Sequence, residues 1–259
     1  MKRVLVIAGS DSSGGAGIQA DIKVITRLKG HALTVITAVT AQNSLGVSAI
    51  HEIPAPFIGK QLQAVFEDII PHASKISMVY SGAAIREVVR WIRTYDLPNV
   101  VIDPVLRAST GNWLLEQKAV PLLKEELFPL ARVVTPNLFE AGILSGIRVE
   151  SLKDMAEAAG LIKKTGPDVV ITGGHLKGSC VDLLFDGEKL EHFSDSRINT
   201  KNTHGSGCVF SSSLAVFLAE GKGVMEATKL AHEYAREAIV HGYACGQGPG
   251  PVRAARAAP

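Results

Sequence analysis

The chain alternates short apolar runs with segments whose apolar residues recur every three or four positions, and this pattern extends over nearly all of its 259 residues. Residues 4–8 form the first apolar run and include no polar side chain. Such a run predicts a strand buried on both faces, which is typical of a parallel sheet. Residues 18–29 follow with helical spacing and end before Gly30. Repetition of this unit predicts an α/β fold in three αβα layers, with a doubly wound, mostly parallel sheet.

The same reading assigns the remaining elements. It predicts strands at 33–39, 76–80, 100–103, 131–134 and 168–172, an extra edge strand at 47–53, and helices at 57–70, 85–95, 116–127, 136–145, 209–219 and 225–240. The Asp186-Gly187 pair predicts a hairpin between residues 180–185 and 189–193. No repeat or linker interrupts the pattern, so we expect one domain over residues 1–253 and a disordered tail over 254–259.

Charge and cysteine content exclude several function classes. The formal net charge of +2 gives no electrostatic reason to expect a nucleic-acid or membrane-surface partner. No apolar run approaches the ~18 residues of a membrane helix. The three cysteines, Cys180, Cys208 and Cys245, have neither disulfide-framework nor metal-ligand spacing. They fit a reducing, cytoplasmic compartment, where Cys180 and Cys245 are expected to be small core residues.

Residues 202–208, which we call the anion loop, are polar and glycine-spaced and lead directly into an apolar helical segment. The first N–H groups of a helix lack intrahelical partners and carry partial positive charge. Gly205 and Gly207 permit close approach, so the loop predicts a phosphate site. Cys208 stands at its mouth, where we expect a lowered thiol pKa. An ordinary helix start with a buried cysteine accounts for this short pattern equally well.

Polar residues follow several predicted strands, and parallel strands place their carboxyl ends at one edge of the sheet, where ligands bind. Asp103 follows one strand, and Asn137 precedes Glu140 by three positions, which places both on one face of a helical turn. Carboxylates combined with phosphates suit Mg²⁺, so Asp103, Asn137 and Glu140 predict a Mg²⁺-nucleotide site. The alternative is that Asn137 caps a helix with Glu140 as its capping-box partner.

Residues 9–17, which we call the glycine loop, match neither the Walker A pattern nor the dinucleotide fingerprint. The missing fingerprint argues against a nicotinamide dehydrogenase. Asp21 follows in the next helix, where an acid favoured by the helix dipole is the simple alternative to a ligand contact. His175 and His204 lie in glycine-flanked loops without a second ligand at metal spacing, so we predict no metal site from them.

Taken in order, the motifs resemble one family. They are Gly9-x-Asp11-x-Ser13-Gly14-Gly15-Ala16-Gly17-Ile18-Gln19-Ala20-Asp21, Ala41-Gln42-Asn43, Asp103-Pro104-Val105, Thr135-Pro136-Asn137 with Glu140, Gly173-Gly174-His175, and Asn202-Thr203-His204-Gly205-Ser206-Gly207-Cys208. This set resembles the hydroxymethylpyrimidine/phosphomethylpyrimidine kinases of thiamine biosynthesis, within the ribokinase-like superfamily. The resemblance spans residues 4–252.

The resemblance implies a role for each matching residue. Two ATP-dependent phosphoryl transfers to 4-amino-5-hydroxymethyl-2-methylpyrimidine are implied, in a Mg²⁺-dependent homodimer. Cys208 would be the catalytic base, at a position where related sugar kinases carry aspartate, beside the anion hole of Gly205 and Gly207. Thr203 and Ser206 would contact phosphate together with Asn137 and Glu140, and Asp103 and Glu140 would hold the metal. The pyrimidine would contact Gln42, with Gly9, Asp21, Met78 and Val105 lining its pocket.

Two departures and two rival functions accompany this resemblance. Thr172 stands where the family often has lysine, and Ser206 replaces the more usual threonine. Pyridoxal kinase is the nearest rival, because its substrate also carries a hydroxymethyl group on a six-membered nitrogen heterocycle. Gln42 favours the aminopyrimidine, since an amide pairs with an exocyclic amine and its adjacent ring nitrogen. A non-catalytic nucleotide-binding protein is the second rival, and the joint presence of Cys208, Glu140 and Asp103 argues against it.

Overall fold

The computed structural model describes residues 1–108, 110–174, 176 and 180–254. Within these residues nine strands form one sheet. The strands are β1 (Arg3–Asp11), β2 (His31–Asn43), β3 (Gly46–Glu52), β4 (Ala73–Ile76), β5 (Val100–Ile102), β6 (Val133–Val134), β7 (Asp168–Ile171), β8 (Cys180–Phe185) and β9 (Leu190–Asp195). Their order in the sheet is β3-β2-β1-β4-β5-β6-β7-β8-β9.

Helices separate most of these strands, as the alternating sequence pattern predicts. They are α1 (Gly17–Arg27), α2 (Ala55–Phe66), α3 (Gly82–Tyr95), α4 (Val120–Leu122), α5 (Leu138–Ser145), α6 (Leu152–Lys163), α7 (Ser206–Ala219) and α8 (Val224–Val240). In the described part of the chain, no helix is long and apolar enough to cross a membrane.

The pairing of the strands confirms the doubly wound, mostly parallel sheet. Strand β1 pairs in parallel with β2 on one side and β4 on the other, and β4 to β7 continue in parallel. The edges are antiparallel: β3 folds back on β2, and β8 and β9 form the hairpin at Asp186-Gly187. The predicted extra edge strand is therefore confirmed as β3.

Two separate cores cover the two faces of the sheet, which confirms the three layers. Leu5 and Ile7 of β1 pack into one core with residues of α2, α3 and α6. Val4, Val6 and Ala8 of the same strand pack into the other core with residues of α1, α7 and α8. Successive side chains of a strand point to opposite faces, so a wholly apolar strand must be covered on both sides.

Several predicted elements have ends shifted by a few residues, and two of the differences have a clear cause in the sequence. The strand expected at 76–80 lies instead at Ala73–Ile76. The prediction missed its first residues because they are small or charged side chains, which lack the apolar pattern of a buried strand. The helix expected at 116–127 is instead a 3₁₀ turn, the short α4, a π turn (Leu123–Leu127) and a second 3₁₀ turn, Phe128–Leu130. Pro121 and Pro129 lack N–H groups and interrupt a regular helix.

Ala254, the first residue of the tail expected to be disordered, packs against the folded chain. Ala254 is buried, and its carbonyl oxygen accepts a hydrogen bond of 2.7 Å from the Tyr234 hydroxyl. The remaining tail, residues 255–259, lies outside the described part of the chain, as does His175.

The crevice for a ligand follows from the direction of the chain. From β1 the chain crosses one face through α1 to reach β2, and from β4 it crosses the opposite face through α3 to reach β5. The two connections diverge beyond the carboxyl ends of β1 and β4. An open α/β sheet binds its ligands at such a switch point.

Candidate active site

The anion loop leads into the N-terminus of α7, which begins at Ser206. Gly205 precedes it in a left-handed conformation with φ +82, and a Cβ there would lie 2.0 Å from the carbonyl oxygen of Gly15. The anion loop and the glycine loop are thus in direct backbone contact. Only glycine combines this φ with so close an approach.

A second helix N-terminus reaches the same point. The backbone N–H of Gly17, the first residue of α1, donates a hydrogen bond to the Cys208 thiol. Cys208 lies in the first turn of α7, so the positive ends of two helix dipoles meet at its sulfur. This convergence provides a stronger anion site than the single helix start expected from the sequence.

The structure corrects the expected acidity of Cys208. Burial raises the pKa of its thiol to about 12, although the Lys75 ammonium acts in the opposite direction. The carboxylates of Asp21 and Asp103 raise the pKa further. Removal of water and two nearby negative charges therefore outweigh the Lys75 ammonium and the hydrogen bond from the Gly17 N–H. The thiol is neutral at pH 7 in this structure, rather than activated.

Asp103 lies beneath the anion loop, directly after β5. It is 5% exposed, and its Oδ2 accepts a hydrogen bond of 2.9 Å from Ser211 of α7. A Cβ on Gly207 would lie 4.0 Å from the same oxygen. The structure thus brings together the anion loop and one of the two carboxylates expected to hold a metal.

Asn137 and Glu140 form the capping box of α5 that was the alternative to a ligand role. The Asn137 side chain accepts from the Glu140 N–H at 3.0 Å, and Glu140 Oε2 accepts from the Asn137 N–H at 3.0 Å. Glu140 Oε1 also accepts from the Leu106 N–H at 3.3 Å. Burial and the neighbouring Asp103 carboxylate raise the pKa of Glu140 to about 8 despite these donors. A cap and a site carboxylate are therefore compatible in one residue.

The raised pKa of Glu140 predicts a pH-dependent stability. Between the ordinary value of 4.5 and about 8, the folded protein holds a proton on Glu140 that the unfolded chain has lost. The free energy of unfolding must therefore fall as pH rises through this window. We expect Glu140→Gln to flatten that fall, measured by urea unfolding at pH 5.5 and 8.

Asp154 provides the matched control for this prediction. It closes the capping box of α6 in the same way, but it is only partly buried, and hydrogen bonds from Glu150 and Ser151 lower its pKa. Asp154→Asn should leave the difference between pH 5.5 and 8 unchanged. An unchanged difference in Glu140→Gln would contradict the assigned proton.

The residues expected to line a pyrimidine pocket lie near one another. A Cβ on Gly9 would meet the Met78 sulfur at 2.6 Å, and Met78 packs in an apolar cluster that includes Val105. Gln42 is partly exposed, its side-chain oxygen accepting from Thr40 Oγ1 at 3.1 Å. Its backbone N–H donates to Ser12 of the glycine loop at 2.9 Å. Direct contact of these residues with a pyrimidine stays a prediction.

Asp21 occupies a different place from the other expected pocket residues. Its side chain is fully buried, and both carboxylate oxygens lie 3.0 Å from the Lys75 ammonium. Ser212 of α7 donates to it at 2.6 Å. Asp21 thus lies beneath the anion loop in an ion pair, and the Asp21 charge is one cause of the raised pKa of Lys75. Contact of Asp21 with a ligand stays a prediction.

Sequence reasoning missed Lys75 altogether. Its strand was expected to begin at Ile76, which left the lysine outside the sheet. The available signal was a single charged residue in an otherwise uncharged run, since a lysine is almost never fully buried without a partner. Ser211 and Ser212 were missed because serines in an apolar helix resemble small packing residues.

Comparison with known proteins gives a consistent picture. The sequence model of the phosphomethylpyrimidine kinase family matches residues 11–253. A hydroxymethylpyrimidine/phosphomethylpyrimidine kinase of Bacillus subtilis is 42% identical, over 96% of this chain and 93% of its own. A thiamine biosynthesis bifunctional protein of Geobacter sulfurreducens is 45% identical over 96% of this chain, which spans about half (51%) of that longer protein.

The fold has a similarly close counterpart among solved structures. An ADP complex of a Bacillus subtilis pyridoxal kinase superposes with a TM-score of 0.92 and 40% identity, over 98% of this chain and 97% of the other. That protein is a pyridoxal kinase, the function that the sequence analysis gives as the nearest rival.

Proposed function

Because the chain belongs to the phosphomethylpyrimidine kinase family, we propose that its crevice binds ATP and 4-amino-5-hydroxymethyl-2-methylpyrimidine and phosphorylates the pyrimidine twice. The first transfer goes to the hydroxymethyl oxygen and the second to the resulting monophosphate. The observation that carries this proposal is the meeting of two helix N-termini at Cys208, beside the buried Asp103. Phosphoryl transfer needs mainly positioning and neutralisation of charge, and this arrangement supplies both.

The residues around the anion loop fit Mg²⁺ as well as phosphate. Asp103 and Glu140 are buried carboxylates, and after burial the Asp103 charge is one cause of the raised pKa of Glu140. Oxygen donors of this kind suit Mg²⁺, which takes its other ligands from water and phosphate. Among the described residues no group of three or more histidine, cysteine or acidic side chains is arranged to hold a metal. Because one or two carboxylates suffice when water and phosphate supply the other ligands, we assign Asp103 and Glu140 as the residues that would hold a Mg²⁺, which would neutralise phosphate charge.

The remaining roles follow from position. The N–H groups of the anion loop, with Gly205 and Gly207, would stabilise the transferring phosphoryl group, while Thr203 and Ser206 contribute hydroxyls. Asn137 and Glu140 would face the nucleotide phosphates. Gln42 would pair with the pyrimidine amine and ring nitrogen in a pocket formed by Gly9, Met78 and Val105, with Asp21 beneath.

Cys208→Ala tests the role of the thiol. An alcohol must lose a proton on transfer, whereas the monophosphate oxygen is already anionic. Since the pKa of the free thiol is about 12, its action as a base depends on bound positive charge. We expect Cys208→Ala to slow the first transfer by about 100-fold and the second by less than about 5-fold, in separate single-turnover assays.

Cys208→Ser is the matched control, because it retains a hydrogen-bonding group of similar size. Cys208→Ser should slow the first transfer less than Cys208→Ala does. Equal losses in both transfers would show that Cys208 only completes the packing of the anion loop.

The choice of acceptor separates the proposal from its rival. ADP release from Mg-ATP is measured with hydroxymethylpyrimidine, its monophosphate and pyridoxal as alternative acceptors. We expect the highest kcat/KM with the two pyrimidines. A higher kcat/KM with pyridoxal would support pyridoxal kinase, which the likeness to a pyridoxal kinase structure makes the specific alternative. No ADP release with any acceptor would indicate a non-catalytic nucleotide-binding protein.

The family resemblance also supports a cytoplasmic homodimer, and all three cysteines are free, as in a reducing compartment. Sedimentation equilibrium should give about twice the mass of the 27.5 kDa chain. A monomeric mass would remove the dimer from the proposal.

A further inference from the structure

Asp11 of the glycine loop, to which the proposed roles assign nothing, has a side chain fixed by several hydrogen-bond donors. Asp11 is 4% exposed. Its carboxylate accepts from the Ser13 N–H at 2.8 Å, the Ser13 hydroxyl at 2.8 Å and 3.0 Å, and the Ala16 N–H at 2.8 Å. Burial alone would raise the pKa of Asp11, but these bonds and one from His204 hold it well below its usual value. Asp11 is therefore an ionised, rigid acceptor.

His204 of the anion loop reaches this carboxylate from the other end of the chain. Its Nε2 lies 3.0 Å from Asp11 Oδ2. Because an ionised carboxylate can only accept, Nε2 must carry the proton and donate it. The imidazole lies against Gly15, where a Cβ would meet its Cδ2 at 2.4 Å. The next residue, Gly205, begins the turn into α7.

The same loop contacts the expected pyrimidine site on its other side. The Ser12 hydroxyl donates to the Gln42 carbonyl oxygen at 2.8 Å, and the Gln42 N–H donates to the Ser12 hydroxyl oxygen at 2.9 Å. Asp11 and Ser12 are adjacent, so one short segment contacts both His204 and Gln42. A second connection runs through the C-terminal segment, where Gly250 accepts from the His204 N–H at 3.1 Å and Gly248 donates to Ser44 at 3.1 Å.

We propose that Asp11 and His204 are positioning residues that fix the anion loop against the glycine loop and thereby align the phosphoryl-transfer site with the bound acceptor. Neither side chain needs to touch the reacting atoms. Their contact sets where the first N–H groups of α7 stand relative to the residue pair Ser12 and Gln42. A displacement of about 1 Å at such a site costs as much as 100-fold in rate. This inference rests on the proposed function of the site.

The first arm of the test is kinetic. We expect His204→Ala to lower kcat by about 30-fold while the KM for the pyrimidine changes less than about 2-fold, since Ser12 and Gln42 remain in contact. His204→Gln should restore most of kcat, because its amide nitrogen can donate to Asp11 as Nε2 does. The kcat of the double variant Asp11→Asn, His204→Ala should be no lower than that of Asp11→Asn alone, because the two changes break the same contact.

His241→Ala is the matched control. His241 forms a histidine–carboxylate pair of the same length, 3.0 Å to Glu237, on the surface of the molecule. Its removal should leave kcat unchanged. A purely structural role for His204 would lower the melting temperature without lowering kcat per folded molecule, and that result would overturn the proposal. Failure of His204→Gln to restore kcat, or additive losses in the double variant, would overturn it as well.

The second arm needs no turnover, so it separates this inference from the proposed function. Binding of inorganic pyrophosphate with Mg²⁺ is measured by calorimetry for the parent protein and the same variants. We expect about a 10-fold weaker affinity in His204→Ala and recovery in His204→Gln. A parent protein that binds pyrophosphate in a His204-dependent way without turning over any acceptor would refute only the proposed function. Equal affinities, or no binding by the parent, would refute the positioning role.

Discussion

Gly205→Ala should lower kcat/KM by more than about 100-fold. Gly205 has φ +82, where an alanine pays about 1–2 kcal/mol. Its new Cβ would also lie 2.0 Å from the Gly15 carbonyl oxygen, so the anion loop and the glycine loop must move apart. That movement displaces the N–H groups of α7 from the transferring phosphoryl group, and steady-state kinetics with both pyrimidine acceptors measures the loss.

Gly146→Ala separates backbone strain from the clash. Gly146 ends α5 with φ +80, and a Cβ there would meet nothing within 4 Å. Gly146→Ala should lower the free energy of unfolding by the strain alone, about 1–2 kcal/mol, and keep its activity. If Gly205→Ala retains kcat/KM within about 3-fold of Gly146→Ala, the two loops can separate without affecting the chemistry, and the assignment of the anion loop is wrong.

Lys75→Met should destabilise the fold by about 3–5 kcal/mol, because it leaves the Asp21 carboxylate buried without its cation. Both side chains are fully buried and their charged atoms lie 3.0 Å apart. Helix α7 reaches this pair through Ser212, so the loss should also loosen the support beneath the anion loop. Urea unfolding at neutral pH gives the change in the free energy of unfolding.

A second substitution tests whether charge is the cause. Asp21→Asn in the Lys75→Met background removes the unpaired carboxylate but still accepts from Ser212. The double variant should be more stable than Lys75→Met alone, since replacing both charges of a buried pair is often close to neutral. An additive loss in the double variant would indicate that lost packing, not an uncompensated charge, accounts for the effect.

Local sequence predicted those parts of the site that depend on neighbouring residues. The spacing of Asn137 and Glu140 predicted both a cap and a site pair, and the structure shows the cap with a buried carboxylate. Gly205 and Gly207 predicted a loop entering a helix, and α7 begins at Ser206. In each case the signal lies within one turn of helix, where side-chain and backbone preferences are local.

The thiol of Cys208 shows where local reasoning stops. A helix N-terminus alone lowers a thiol pKa, and the sequence supports only that effect. In the folded chain burial and the carboxylates of Asp21 and Asp103 act on the same sulfur and raise its pKa to about 12. These groups come from α1 and from the end of β5, so their combined effect cannot be read from residues 202–208.

The sequence by itself determined the architecture. Apolar strands must be covered on both faces, and their alternation with amphipathic helices allows few arrangements besides a doubly wound sheet, with its ligands at the carboxyl ends. Only the tertiary structure decided which residues meet near those carboxyl ends. Lys75 pairs with Asp21, His204 bonds to Asp11, and the Gly17 N–H donates to Cys208. The first two pairs are 54 and 193 residues apart in the chain. Their energies depend on distance and on the exclusion of water, which exist only after the chain has folded.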